Sequence, residues 1–189
     1  MKKICLVLFA LMVCINSYGQ AWDNSKPDDR FTFGLRVGAN MSTFAGGQWD
    51  DYLEIKSRWG FHAGFNVDVN IVKSFAIETG LYYTVKGANM GYIYRDEGKL
   101  TYLQLPILAL YRLPVAEESH IQLKAGGYAG YCIEKPETLR VKKPDVGLIA
   151  GAGISYRKFY LGLQYELGLY KIFGDDKNRN LAISLGYDF

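Results

Sequence analysis

The 189-residue chain carries 22 Lys and Arg against 19 Asp and Glu, is 49% apolar, and holds 15 Tyr, 10 Phe and 21 Gly. A mean hydropathy of -0.05 with 22% charged residues excludes a bundle of membrane-spanning helices, and the lack of a long polar or Pro-rich tract excludes a largely disordered chain. One globular or barrel-like domain is left, and a formal charge of only +3 gives no footprint for a nucleic-acid partner.

Residues 1–19 read as a secretory signal peptide. Lys2 and Lys3 precede an apolar run over 4–15, and Ser17 and Gly19 supply small residues for cleavage before Gln20. The run is shorter than the roughly 20 apolar residues a spanning helix needs. Cys14 invites a lipoprotein reading, but Val13 is a poor residue before a lipidated cysteine. With Cys5 and Cys14 removed, the mature chain holds Cys132 alone and can form no internal disulfide. A polar lead over 20–30 follows.

From Phe31 the sequence alternates with period two, the mark of strands with one apolar and one polar face. Phe31, Phe33, Leu35, Val37, Ala39 and Met41 share one parity, with Gly34, Arg36, Gly38 and Asn40 between them. The pattern returns from Trp59 to Ile71, then over about 75–85, 101–113, 121–131, 146–156 and 159–169, and last from Leu181 to Phe189. Each segment matches the roughly 9–11 residues of a tilted strand crossing a bilayer. The connections at 72–74, 114–119 and 157–158 are short; those at 45–57, 87–98 and 133–144 are long, and 173–178 is intermediate. Short turns on one rim and longer loops on the other are the plan of an outer-membrane barrel, with the turns and both termini periplasmic. The expectation is an all-β fold over 31–189, an eight-stranded antiparallel up-and-down transmembrane β-barrel in the cell outer membrane.

The alternative is a soluble barrel or sandwich with the apolar face turned inward. Side-chain volume argues against it, because an eight-stranded barrel is just wide enough for its own side chains. The strand glycines also lie on the polar parity, Gly127 excepted, as crowding on a concave inner face requires. The apolar parity must then face lipid. Phe31, Phe33, Phe75, Phe159, Tyr187 and Phe189 gather towards one end of the strands, and Phe44, Trp59, Phe61, Tyr83, Tyr131 and Tyr170 towards the other, as interfacial girdles would. An apolar last strand with Tyr187 two places before a terminal Phe189 resembles the signal read by the outer-membrane barrel assembly machinery.

The opening strand with Gly34, Leu35, Arg36, Gly38, Asn40 and Ser42, the segment Tyr102-Leu103-Gln104-Leu105-Pro106, and the Gly-rich stretch after Asp145 together resemble the PorT-like outer membrane beta-barrel domain common in Bacteroidetes. The resemblance covers essentially the whole mature chain and implies an eight-stranded outer-membrane barrel. Gln104 stands where many relatives carry an acidic residue. The name-giving member is associated with protein secretion.

Inward parity places Arg36, Glu78, Lys124 and Glu166 near mid-height as a lumen ion-pair network, with Asp68, Gln104, Arg112, Gln122, Gln164 and Asp188 nearby. Buried charges in a narrow barrel must be paired, so the network is expected to plug the lumen. A structural, anchoring or interaction role through the outer loops follows, with a narrow channel, a secretion or assembly accessory, and a lipid-modifying enzyme as alternatives. No enzyme activity is expected: His62 lies one strand from Ser42, but no nucleophile motif surrounds either. No cofactor or metal site is expected, since Cys132 has no companion ligand and Asp175 and Asp176 have no ordered spacing. Expected partners are outer-membrane lipid and the assembly machinery, together with lipopolysaccharide phosphates at Lys135, Arg140, Lys142 and Lys143. A protein partner on either side is not identified.

Overall fold

The computed structural model describes residues 24–45, 55–90, 99–135, 143–170 and 177–189. The first 23 residues, where the signal peptide and the start of the lead are expected, and most of the four long loops lie outside these residues, among them Arg140, Lys142, Asp175 and Asp176.

Eight antiparallel strands close into a barrel: β1 (Phe31–Ala45), β2 (Ile55–Val72), β3 (Phe75–Met90), β4 (Lys99–Ala116), β5 (Ser119–Glu134), β6 (Pro144–Tyr156), β7 (Phe159–Gly168) and β8 (Lys177–Asp188). Each strand pairs with its neighbours in sequence, and β1 closes the ring on β8 from Gly34↔Asp188 to Ala45↔Lys177. The strands are 10–18 residues long, so several exceed the expected crossing length. Their surplus extends the hairpins into stretches that sequence alone assigns to loops. β4 continues through Pro114 to Ala116, which moves the second tight turn to Glu117–Glu118. The other two tight turns are Lys73–Ser74 and Arg157–Lys158.

Proline is tolerated within β4 at a cost to the ladder. Pairing between β3 and β4 lapses, in unchanged register, between Thr79↔Ile107 and Tyr82↔Gln104, beside Pro106, which has no N–H to give. Thr79 Oγ1 compensates by donating to the Pro106 carbonyl at 2.9 Å.

The alternation sets sidedness. Arg36, Asn40, His62, Asn66, Asp68, Glu78 and Lys124 are buried inside, whereas Leu35, Val37, Phe61, Phe65, Leu163 and Ile183 are exposed on the outside. Large apolar side chains cover the outer face of every strand, far beyond the few hundred Å² of contiguous apolar surface a soluble monomer tolerates. A Cβ at Gly60 or Gly80 would fall against the Val85 or Phe65 carbonyl oxygen, so inward glycine at these positions lets the neighbouring backbone approach. Gly130 differs, since a Cβ there would lie 3.6 Å from its nearest neighbours, the Asp145 carbonyl oxygen and the Tyr102 ring.

At the rim of tight turns the lead segment lies along the β2–β3 hairpin. Asn70 N donates to Arg30 O at 2.9 Å, Lys73 N donates to Ser25 O at 3.2 Å, and Lys73 pairs with Asp28 at 3.6 Å.

Candidate functional site

The lumen is the candidate site, and its side chains form two charged layers separated by an apolar wedge. Towards the turn rim, Arg36 donates from Nη1 to Asp188 Oδ1 at 2.6 Å across the closing seam. Arg112 donates to Asp68 and to Asn70, each at 2.7 Å. Lys124 donates to Glu78. Tyr160 joins two of these pairs, its ring lying 4.4 Å from the Arg36 guanidinium carbon and 4.3 Å from Lys124 Nζ. Three cations face three carboxylates in this layer.

Towards the loop rim, Lys86 reaches across from β3 to Glu166 on β7 at 2.6 Å and stands 3.8 Å from Asp145 on β6. Its ammonium also lies 4.5 Å from the Tyr128 ring centre. Glu166 accepts from Gln164 at 3.0 Å and Gln104 at 3.4 Å; Asp145 accepts from Asn178 at 2.9 Å and the Tyr128 hydroxyl at 3.2 Å. One ammonium therefore serves two buried carboxylates. The surrounding amides and phenols supply the hydrogen bonds that make such burial tolerable.

Leu108, Tyr128 and Ile149 pack together inside the barrel, so the lumen is not uniformly polar. A cavity of about 20 Å³ touching Glu78, Gln104, Leu108 and Glu166 lies between the layers. That is room for about one water molecule.

The sequence-predicted members Arg36, Glu78, Lys124 and Glu166 are all buried inside. They do not form one circuit: Lys124 pairs with Glu78, but Arg36 pairs with Asp188, and Glu166 with Lys86. Strand tilt is the cause. Residues equally far from their strand centres differ in height once the register is staggered round the barrel. Lys86 and Asp145 escape the sequence reading because each borders a long loop; the parity of Glu78 and of Gly147 would have turned both inward.

His62 Nε2 lies 2.9 Å from Ser184 Oγ, not beside Ser42. Ser42 is instead held on Gly87, whose N–H donates to Ser42 Oγ and whose carbonyl accepts from it, both at 2.8 Å. Gly87 has φ 147°, a conformation open to glycine, which turns both its backbone groups to the serine. The His62–Ser184 pair is buried inside the barrel. Tyr187 near the end of β8 and Phe189 just beyond it are both exposed, and Tyr187 packs edge-on against Phe159 and Phe189 with ring centres 5.4 and 5.6 Å apart.

A family model described as outer membrane protein beta-barrel domain matches residues 19–174. The chain belongs to this family. Among solved structures, the barrel is similar to Neisserial surface protein A, at 13% identity and TM-score 0.54, over 83% of this chain and 97% of that one. It is similar to OprG from Pseudomonas aeruginosa at 12% identity and TM-score 0.51, over 89% and 99% of the two chains. The Ail protein of Yersinia pestis matches at 15% identity and TM-score 0.47, over 85% and 100%. No curated protein matches the sequence. Family membership and the closed barrel with its apolar exterior place this protein in the outer membrane.

Proposed function

We propose that this outer-membrane barrel is a non-conducting, non-enzymatic anchor that presents its long loops outside the cell. The single observation that carries this reading is the packed mid-section of the lumen: two layers of paired charges and the cluster of Leu108, Tyr128 and Ile149, with a cavity of about 20 Å³ reaching from Glu78 to Glu166. A conducting pore needs a continuous file of water, whereas an eight-stranded barrel has an interior just wide enough for its own side chains.

Short turns on one rim and long connections on the other support an orientation with both termini periplasmic. Residues 1–19 then serve as the export signal and 20–30 as the periplasmic lead. Tyr187 and Phe189 form the signal for the assembly machinery, and the basic residues around the third long loop, Lys135 and Lys143 among them, meet lipopolysaccharide phosphates. The PorT-like character of the motifs at Gly34–Ser42 and Tyr102–Pro106 supports kinship with that subgroup of Bacteroidetes barrels.

Single-channel recording in planar bilayers tests the reading. The wild-type barrel is expected to show no resolved steps, and Arg36→Ala together with Glu78→Ala to introduce them. Discrete conductance steps from the wild-type protein would overturn the plug and favour the narrow channel.

A further inference from the structure

On the outer wall, β1, β6, β7 and β8 enclose an apolar groove of about 490 Å³, floored by Leu35, Ile154, Leu161 and Leu185. This is within the roughly 300–1,000 Å³ of pockets that hold small molecules. The rings of Phe159 and Tyr187, packed edge to face at 5.4 Å, wall its turn end.

Immediately beyond those rings is the β6–β7 turn, Arg157–Lys158. Lys158 Nζ stands 5.9 Å from the Tyr187 ring centre and has no carboxylate partner among the described residues. Arg157 lies over Tyr156 at 5.4 Å and is fixed by Glu118 through Nε at 2.6 Å. Its φ of 53° lies in the left-handed region, which favours Gly or Asn. The other two tight turns differ. Lys73 is answered by Asp28, and Glu117–Glu118 is acidic and neutralises Arg157, which leaves Lys158 as the turn cation without a carboxylate within 4 Å among the described residues.

We propose that this groove binds one anionic glycerophospholipid, with an acyl chain on the Leu35–Leu161–Leu185 floor and the phosphate at Lys158 and Arg157. Charge decides the occupant: an apolar trough with Lys158 over its Tyr187 wall, and the Arg157–Glu118 pair beside it, complements a lipid whose tail is hydrocarbon and whose head is negative. The assignment to the inner leaflet rests on the orientation proposed above, whereas the binding itself does not.

Native mass spectrometry of the mature chain folded in zwitterionic detergent tests this, with phosphatidylglycerol, phosphatidylcholine and lipid A as probes. One phosphatidylglycerol per barrel is expected, favoured over phosphatidylcholine by about fivefold through Lys158. Lys158→Gln should lower phosphatidylglycerol affinity about fivefold and leave phosphatidylcholine unchanged. Arg157→Asn, which suits the positive φ, leaves the Glu118 carboxylate without its partner and should lower phosphatidylglycerol affinity as well. Leu161→Trp fills the groove and should weaken both lipids; if it does not fold, the two turn variants decide. Equal binding of the two phospholipids, selectivity untouched by both turn variants, or a preference for lipid A would overturn the proposal. A reversed orientation would appear separately, as protease access to the lead segment in intact cells, and would leave lipid selectivity as it is.

Discussion

Lys86→Met is the perturbation that best exposes how the lumen is held. The ammonium lies 2.6 Å from Glu166 and 3.8 Å from Asp145, and all three side chains are buried. Deleting one partner of a buried ion pair costs about 3–5 kcal/mol because the other charge is left uncompensated. Here two carboxylates are stranded, so the loss belongs at the top of that range, about 5 kcal/mol. Glu166→Gln acts differently. It leaves one ammonium facing one carboxylate, and it exchanges charged hydrogen bonds from Gln104 and Gln164 for neutral ones, at about 1–2 kcal/mol. The double variant strands only Asp145, which keeps its Asn178 and Tyr128 donors, and should be more stable than Lys86→Met alone by at least about 1 kcal/mol. Equilibrium urea unfolding from phospholipid vesicles, followed by tryptophan fluorescence and heat-modifiable gel mobility, measures all three. A Glu166→Gln barrel as unstable as Lys86→Met would refute the reasoning, since it would mean that Asp145 does not share the ammonium.

Two further outcomes follow from the geometry of the wall and of the last strand. Gly60→Ala drives a methyl group against the Val85 carbonyl and should cost about 1–3 kcal/mol in vesicle unfolding, whereas Gly130→Ala meets only ordinary contacts and should be neutral or stabilising by about 0.5–1 kcal/mol. Equal destabilisation by the two would show that inward crowding is not what selects glycine. Phe189→Ala should reduce the assembled barrel recovered from cell membranes severalfold while unfolding in vitro at nearly the same urea concentration. A matching loss in both measurements would make Phe189 a packing residue and not an assembly signal.

The alternation was sufficient to read strand number, pairing order and sidedness, because a period-two pattern with one lipid-facing parity leaves each strand a single orientation. It was not sufficient to read partners across the lumen. Arg36 and Asp188 are 152 residues apart and meet only when the ring closes, at a height set by stagger that no single strand encodes. Lys86 and Asp145 sit where strand gives way to loop, and the ladder runs further into those loops than the hydrophobic alternation does. Tyr102, Tyr128 and Tyr160 share the inward parity of Gln104, Lys124 and Gln164, yet tyrosine in a barrel sequence reads equally well as girdle. The apolar wedge was hidden for a related reason: Leu108 and Leu110 make β4 apolar on both faces, so its alternation is faint where the lumen is driest.

The most direct test of the central claim is quenching of a single tryptophan by phosphatidylcholine with brominated acyl chains. Trp22, Trp49 and Trp59 are first replaced by Phe, and a tryptophan is then placed either at outward Leu163 or at inward Tyr128. The account predicts strong quenching of the Leu163→Trp protein and almost none of the Tyr128→Trp protein. Quenching of the second and not the first would contradict it, for the wall would then turn its apolar parity to the axis and its charges to the lipid.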